Sequence, residues 1–271
     1  MASTAIKGDL MSTNKPSVYE INKASVLRRF AAWLIDFIIF VVLATGLLSL
    51  TSIIFNYDAE FAKVEEKYLE HGIYTLNPSA TDGSNKYIAC TYYREDRTVD
   101  ETSACYIAWN EFFEDEEAVA QRMKCDTLMI IMLTTSSLIA LLLTEFVLPL
   151  IFKNGQTIGK KIMHIGLIGN DRIRIRVWQL FARVIIGRFV IETMIPIYCV
   201  VYAFINTTGG LLGLLIIIII AIIEVAMLGA TKNNQLIHDF VSSTVVIDMD
   251  SQYIARNRQD LEDKINEIVK D

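Results

Sequence analysis

Residues 28–36 read RRFAAWLID and open a long apolar run. From Leu34 to Phe55 there are 22 residues, and the only ionisable side chain among them is that of Asp36. A helix of that length can cross a hydrocarbon core of about 30 Å. On such a helix Arg29 and Asp36 lie on one face, because residues seven apart stack. The run therefore predicts a membrane span with an acid just inside its own entrance.

The position of Asp36 in the span can be interpreted in two ways. A charge at mid-membrane costs roughly 2.5–3.5 kcal/mol on insertion scales and less near an interface, so an acid in a span usually has a partner or a task. In the simpler interpretation, Asp36 reaches back to the lipid head groups or to Arg29. In the other, the carboxylate belongs to a functional site.

The composition is that of a membrane protein rather than a soluble enzyme. Of the 271 residues, 53% are hydrophobic, and the mean hydropathy is +0.38. The formal net charge of −6 is sorted sharply along the chain. We expect no cleavable signal peptide, because the first apolar run is too long for one and lacks a small-x-small cleavage site.

Four apolar runs separate polar segments, and they predict an all-α membrane protein with a four-span bundle of transmembrane helices. An insertion between the first two spans is expected to form an extracellular helical hairpin, and a small β-hairpin or sheet is expected in the cytoplasm. The predicted segments are a tail (1–24), the first span (25–55), an acidic loop (56–126), the second span (127–152), a basic loop (153–183), the third and fourth spans (184–230) and a second tail (231–271).

Charge asymmetry predicts the orientation. Residues 56–126 carry seven Lys and Arg against sixteen Asp and Glu, whereas residues 153–183 carry seven basic residues against the single acid Asp171. Basic residues near spans stay on the cytoplasmic side. We therefore expect both termini in the cytoplasm and the acidic loop outside the cell membrane.

The acidic loop has helical periodicity at both ends. Apolar residues recur at spacings of three and four through residues 57–68 and again through 112–123, which predicts two helices flanking a small tip. The tip contains Cys90 and Cys105. Outside the cytoplasm these two thiols can form a disulfide, although the spacing alone leaves two free cysteines equally open.

The basic loop invites comparison with a phosphate-binding loop, but the comparison fails. Residues 154–161 have a glycine spacing one residue too short, and no Ser or Thr follows Lys161. Runs at 162–168 and 172–177 flank a Gly-Asn-Asp turn, which predicts a β-hairpin. The β-branched run 244–247 predicts a third strand of the same sheet, with Asp239 capping a helix end or pairing with a base of the 153–161 segment.

Three motifs occur in order along the chain: Arg29-Phe30-x-Ala32-x-x-Ile35-Asp36, Gln156-Thr157-Ile158-Gly159-Lys160-Lys161 and Gln235-x-x-His238-Asp239. Their order and spacing resemble the RDD family of bacterial multi-pass membrane proteins. The arginine and two aspartates for which that family is named fall on Arg29, Asp36 and Asp239. The resemblance implies a role in transport, with cation/proton antiport for some members, and the long acidic insertion departs from the shortest members.

Residue counting places one acid in each span at a similar depth. At 1.5 Å per residue, Asp36, Glu145, Glu192 and Glu224 fall roughly 5–12 Å inside the cytoplasmic boundary. Arg188 lies four residues before Glu192, so the two can pair on one helix face. One arginine cannot neutralise four acids. Either some of them are protonated, or a cation joins them.

Two hypotheses follow. In the first, the protein is related to transport, and the inner-leaflet carboxylates carry a proton or a monovalent cation. In the second, it is a membrane scaffold or regulatory protein whose acids pair with Arg29, Arg183 and Arg188. The position of the acids distinguishes the two hypotheses. Acids that face one another favour transport, and acids that are each paired with an arginine favour the scaffold or regulatory protein.

Other classes of function have little support in the sequence. No nucleophile–base pair or cluster of metal ligands can be recognised along the chain, so we expect neither an enzyme nor a metal site nor a cofactor. The failed phosphate-loop comparison argues against nucleotides, and we expect no nucleic-acid partner. Four short spans enclose little volume, so a conducting unit is expected to be a homodimer in the lipid bilayer.

Overall fold

The computed structural model describes residue 18 and residues 20–78, 86–93, 98–205 and 207–270. Four of its helical segments are long and apolar enough to cross a membrane, as the sequence predicted. Most of the N-terminal tail, the centre of the acidic-loop tip and Asn206 lie outside the described residues. The four apolar segments are Val26–Phe55, Glu116–Phe152, Val177–Ala203 and Leu211–Ala230.

The chain is mostly helical, with two short antiparallel sheets. In chain order the elements are α1 (Val26–Phe55), α2 (Tyr57–Glu70), β1 (Tyr74–Leu76), β2 (Tyr87–Ala89), α3 (Ala104–Glu114), α4 (Glu116–Leu141), π1 (Leu142–Val147), α5 (Leu148–Phe152), α6 (Ile158–Ile162), β3 (Ile165–Gly169), α7 (Val177–Ala182), π2 (Arg183–Met194), α8 (Ile195–Ile205), α9 (Thr207–Ala230), α10 (Ile237–Val241), β4 (Thr244–Asp248) and α11 (Arg258–Lys270).

Helix α1 has the surface of a membrane helix. Its buried residues are Ala32 and Asp36, whereas large apolar side chains along the rest of its length are exposed. Trp33 and Phe37 stack with ring centroids 5.2 Å apart on that exposed surface. An apolar exterior is stable in lipid, where every backbone polar group is already bonded within the helix. The one polar group that α1 buries is therefore the acid.

Two spans contain π-helical segments, which the sequence analysis did not predict. Segment π1 carries Glu145, and π2 carries both Arg188 and Glu192. A π turn closes i→i+5 hydrogen bonds, is rare, and often occurs at functional sites. Pro196, just beyond π2, has no N–H to donate, which removes one α-helical bond to the residues before it.

Residues 45–136 form a compact unit with its own core. Helices occupy both flanks of the acidic loop, as predicted, and β1 pairs with β2 between them. Val64, Ile73 and Phe112 are almost fully buried and form the centre of the core. Cys90 and Cys105 form a disulfide with their Cα atoms 5.7 Å apart, so the bridge joins the end of this small sheet to α3.

Replacing both bridged cysteines with serine is expected to destabilise this unit by about 3 kcal/mol, because the bridge restricts a loop of about 15 residues in the unfolded chain. Pulse proteolysis in a urea series measures the loss. The control is Cys199→Ser, which changes a free, half-buried thiol elsewhere. An unfolding midpoint unaltered by the double substitution would show that the disulfide contributes nothing to stability.

The other unit comprises Met1–Ala44 and Ser137–Asp271, and it contains the sheet of β3 and β4. The two strands pair antiparallel with Leu167 opposite Val246, which confirms the predicted pairing of the 244–247 run. Leu261 of helix α11 packs against Val18 and Ala255.

The predicted strand at 172–177 is wrong. The predicted strand at 162–168 is also wrong in its first residues. Residues up to Ile162 belong to α6, so β3 begins only at Ile165. The 172–177 run makes one antiparallel bridge, between Arg174 and Ile168. The N–H of Arg174 donates instead to the carbonyl oxygen of Ala255 at 2.9 Å, which draws the chain away from the sheet. Alternating residues alone did not specify a strand partner.

Candidate functional site

Asp239 lies between two arginines in the interior of the larger unit. The carboxylate is fully buried, pairs with Arg183, and lies 2.8 Å from the Nη2 atom of Arg29. It also accepts the N–H of Leu236 at 3.3 Å at the start of α10. Burial opposes its charge, but Arg183, His238 and Arg29 together hold the pKa of Asp239 below its usual value.

This arrangement revises the predicted partners of Asp239 and Arg29. Asp239 caps the start of α10, as one of the predicted alternatives had it, but its bases are Arg29 and Arg183 rather than residues of the 153–161 segment. Arg29 likewise pairs with Asp239 instead of Asp36. Its Nη1 atom also donates to the backbone carbonyl of Asn234.

Asp36 holds the short helix α6 in place. The hydroxyl of Thr157 donates to one carboxylate oxygen, and the N–H of Gly159 donates to the other at 2.8 Å. A side chain at Gly159 would overlap the backbone carbonyl of Ala32, so glycine permits this close approach to α1. The two hydrogen bonds offset the burial of the carboxylate.

Lys160 on α6 is a basic partner of Glu145. This pair was not predicted from the sequence. Its Nζ atom lies 3.4 Å from a carboxylate oxygen of Glu145, and both side chains are nearly buried. Burial lowers the pKa of Lys160, and the negative Glu145 opposes that shift. Arg188 approaches the other oxygen of Glu145 at 3.9 Å, so Glu145 lies between two bases.

Glu192 contacts three ionisable side chains at once. The Nε atom of Arg188 lies 3.6 Å from one of its oxygens, and the Nδ1 atom of His238 is in hydrogen-bond contact with the other. Its carboxyl group also shares a hydrogen bond with that of Glu224 on α9. His238 fits closely against Gly187, where any side chain would overlap it.

Glu224 is the least satisfied member of the group. Its Oε1 atom is buried and has no hydrogen-bond partner among the described residues. Burial and the neighbouring Arg183 lower the pKa of His238 to about 4, so the imidazole is neutral at pH 7. Two carboxyl groups in contact beside a neutral imidazole require a proton or a cation between them, because acceptors alone cannot bond to one another.

The connected cluster contains more acids than bases. Its five carboxyl groups are those of Asp36, Glu145, Glu192, Glu224 and Asp239, and its four cationic groups are those of Arg29, Lys160, Arg183 and Arg188. Glu145 and Asp239 each lie between bases, and Asp36 accepts two hydrogen bonds. Asp36 has no base in the cluster but has two donors, whereas the Oε1 atom of Glu224 has no hydrogen-bond partner among the described residues.

Comparison with known proteins identifies the family of the chain. The sequence profile of the RDD family matches residues 23–243, which is more than half of the chain and contains every residue of the cluster. The chain belongs to the RDD family. No curated protein and no solved structure matches the chain.

The structure gives physical roles to the RDD motif residues. Arg29 and Asp239, far apart in the sequence, form a direct ion pair, while Asp36 holds α6 through Thr157 and Gly159. The third motif also supplies His238 to Glu192. The motifs of this RDD protein therefore meet in one buried cluster.

Sequence reasoning found the acids but missed several of their partners. It did not assign Thr157 to Asp36 or Lys160 to Glu145, although both residues lie in the second motif. It identified His238 only as a motif residue and did not predict its contact with Glu192. The available signal was a Thr, a Gly and a Lys beside an acid-bearing span, which is too general to predict these contacts.

Proposed function

We propose that this RDD protein is a transport-related protein of the cell membrane, in which buried carboxylates handle a proton or a small monovalent cation. The observation that carries the proposal is the contact of Glu192 with Glu224, beside a neutral His238 and with one buried oxygen unpartnered. Arg188 neutralises only one of the two carboxylates, so the pair can still bind positive charge. A site that can gain and lose a positive charge is what ion-coupled transport needs.

The π-helical segment supports the same site. Arg188 and Glu192 lie within π2, and Pro196 follows it. A π segment widens the helix and leaves backbone groups able to exchange partners. Irregular backbone at membrane depth is tolerated where it is buried in protein or lines a water-filled cavity.

A second function is favoured by the other acids. Asp36, Glu145 and Asp239 are each bonded to donors or bases of the protein, which suits a membrane scaffold or regulatory protein with structural ion pairs. We assign these three acids to the framework and the Glu192–Glu224 pair to the function. Because four spans enclose little volume, we also propose that the conducting unit is a homodimer.

We further propose that both termini are cytoplasmic and that residues 56–126 lie outside the cell, since the basic residues are concentrated in residues 153–183. In intact cells, Glu114→Cys is expected to react with a membrane-impermeant maleimide. Asp250→Cys is expected to react only after permeabilisation. Both changes are made with Cys125→Ser and Cys199→Ser, which leaves the disulfide as the only native cysteine pair. The reverse labelling would overturn the orientation.

The proposed function itself is tested with purified protein in liposomes, by screening monovalent cations against a pH gradient.

A further inference from the structure

Three potential metal ligands converge at the contact between π2, α9 and α10. One nitrogen of His238 and one carboxylate oxygen each of Glu192 and Glu224 all lie within 4.8 Å of one another. His238 is buried, and the two glutamates are half-buried. The three residues come from three different elements, so only the fold brings them together.

The two ring nitrogens of His238 face two carboxylates. Nδ1 is in hydrogen-bond contact with Glu192, and Nε2 lies 3.8 Å from a carboxylate oxygen of the fully buried Asp239. A metal ion between Nδ1 and Glu192 would replace the proton of that hydrogen bond, and the ring would then carry its proton on Nε2, beside Asp239. Histidines that bind metals are commonly oriented in this way by a carboxylate behind the ring.

The oxygen atoms are arranged to complete such a site. Glu192 faces His238 with one oxygen and Arg188 with the other. The first oxygen can therefore bind an ion while the second stays paired with Arg188. The Oε1 atom of Glu224 is buried and has no partner among the described residues. Glu224 therefore has an unused acceptor that an ion could satisfy.

We propose that Glu192, Glu224 and His238 form a binding site for a divalent transition-metal ion of the zinc class. Two carboxylates and a neutral imidazole together balance a charge of two. An imidazole ligand selects zinc-like ions over magnesium and calcium, which prefer oxygen ligands alone. This proposal names an ion for the site of the proposed function. It rests on that function in one respect, namely that positive charge binds between the two glutamates.

Binding requires a small adjustment of the side chains. Ligand atoms around a four-coordinate zinc ion are separated by about 3.3 Å, given bonds of about 2.0 Å. The Nδ1 atom of His238 and the oxygen of Glu192 lie 2.5 Å apart, so they must move apart by about 1 Å. Rotation of the glutamate side chain alone supplies that movement.

The test uses Co²⁺ and Zn²⁺ binding to the full chain in detergent, without a polyhistidine tag. The chain contains three histidines, at positions 71, 164 and 238. The control variant His71→Gln with His164→Gln therefore leaves His238 as the only imidazole. We expect this control to bind one equivalent of Co²⁺, to show visible absorption bands and to release the ion to Zn²⁺, as the unmodified protein does.

Glu224→Gln and His238→Gln, each in that control background, are expected to weaken binding by more than the roughly 10–100-fold that loss of a supporting outer partner costs. Glu224→Gln is the stronger test, because the amide can keep one oxygen for the existing hydrogen bonds of this side chain and replace the Oε1 atom, which has no partner among the described residues. Unchanged binding in a folded Glu224→Gln protein would overturn the metal site. So would loss of binding in the double-histidine control, or no binding by the unmodified protein.

The same samples separate this proposal from the proposed function. Stoichiometric metal binding without ion flux in liposomes would refute the transport role and leave the site standing. Flux coupled to protons or monovalent cations in a protein that binds no metal would refute the site alone.

Discussion

Asp239→Asn is expected to destabilise the folded protein by about 3–5 kcal/mol, because removing one partner of a buried ion pair leaves an uncompensated buried charge. In this protein two guanidinium groups would lose their counter-ion. Arg183 and Arg29 both face Asp239, and the side chain of Arg183 is almost fully buried. The measurement is the midpoint of thermal unfolding in detergent, together with the yield of folded protein.

The matched control is Asp248→Asn. Asp248 also pairs with an arginine, Arg28, but that pair is partly exposed. Exposed pairs contribute at most about 1 kcal/mol, so this variant is expected to unfold close to the unmodified protein. If Asp239→Asn unfolded at the same midpoint as this control, the triad of Arg29, Arg183 and Asp239 would not be the structural centre of the larger unit.

Glu192→Gln is expected to abolish ion-coupled flux while the protein remains folded in the membrane. The amide keeps a hydrogen-bonding oxygen for Arg188 but cannot become a carboxylate, so it cannot bind and release positive charge. Flux into liposomes and the unfolding midpoint are measured on the same preparation. Glu262→Gln, an exposed change on α11, serves as the control for substitution of a glutamate.

A purely structural role for Glu192 gives a different pattern. In that case Glu192→Gln would lower stability, and combining it with Arg188→Gln would restore both stability and any activity, because the unpaired charge would be gone. Normal flux in a folded Glu192→Gln protein would remove the reason for assigning function to this pair.

The spans and the acids within them could be predicted from the sequence, because both follow from local counting. Apolar length identifies a span, and the rise per residue places an acid within it. Asp36, Glu145, Glu192 and Glu224 were found in this way. The pairing of 244–247 with residues near 165 was also predictable, since both runs have the composition of buried strands.

The partners of the acids could not be predicted, because they depend on contacts between distant elements. Helical periodicity suggested Arg29 for Asp36, but a periodic pattern detects only neighbours on the same helix. The fold turns Arg29 toward Asp239 and gives Asp36 the N–H of Gly159. The π segments were also unpredictable, since their i→i+5 bonds have no marker in the sequence other than Pro196.

The contact of His238 with Glu192 could not be predicted from the sequence for the same reason. Sequence reasoning found no cluster of metal ligands, because the three ligands come from three separate elements and have no characteristic spacing. The structure brings the three side chains within 4.8 Å of one another, and the proposed metal site rests on that contact. Two carboxylates and an imidazole are a small signal in a chain of 271 residues until the fold assembles them.

The central claim, that the Glu192–Glu224 pair carries a proton or a small cation through the protein, is tested most directly by flux in liposomes. Purified protein is reconstituted with a pH-sensitive dye inside, a pH gradient is imposed, and Na⁺, K⁺ and Li⁺ are added in turn. The account predicts that at least one cation collapses the gradient with the unmodified protein and that Glu224→Gln, reconstituted to the same level, abolishes this response. A gradient that no cation changes, or one that collapses equally with Glu224→Gln, would contradict the account.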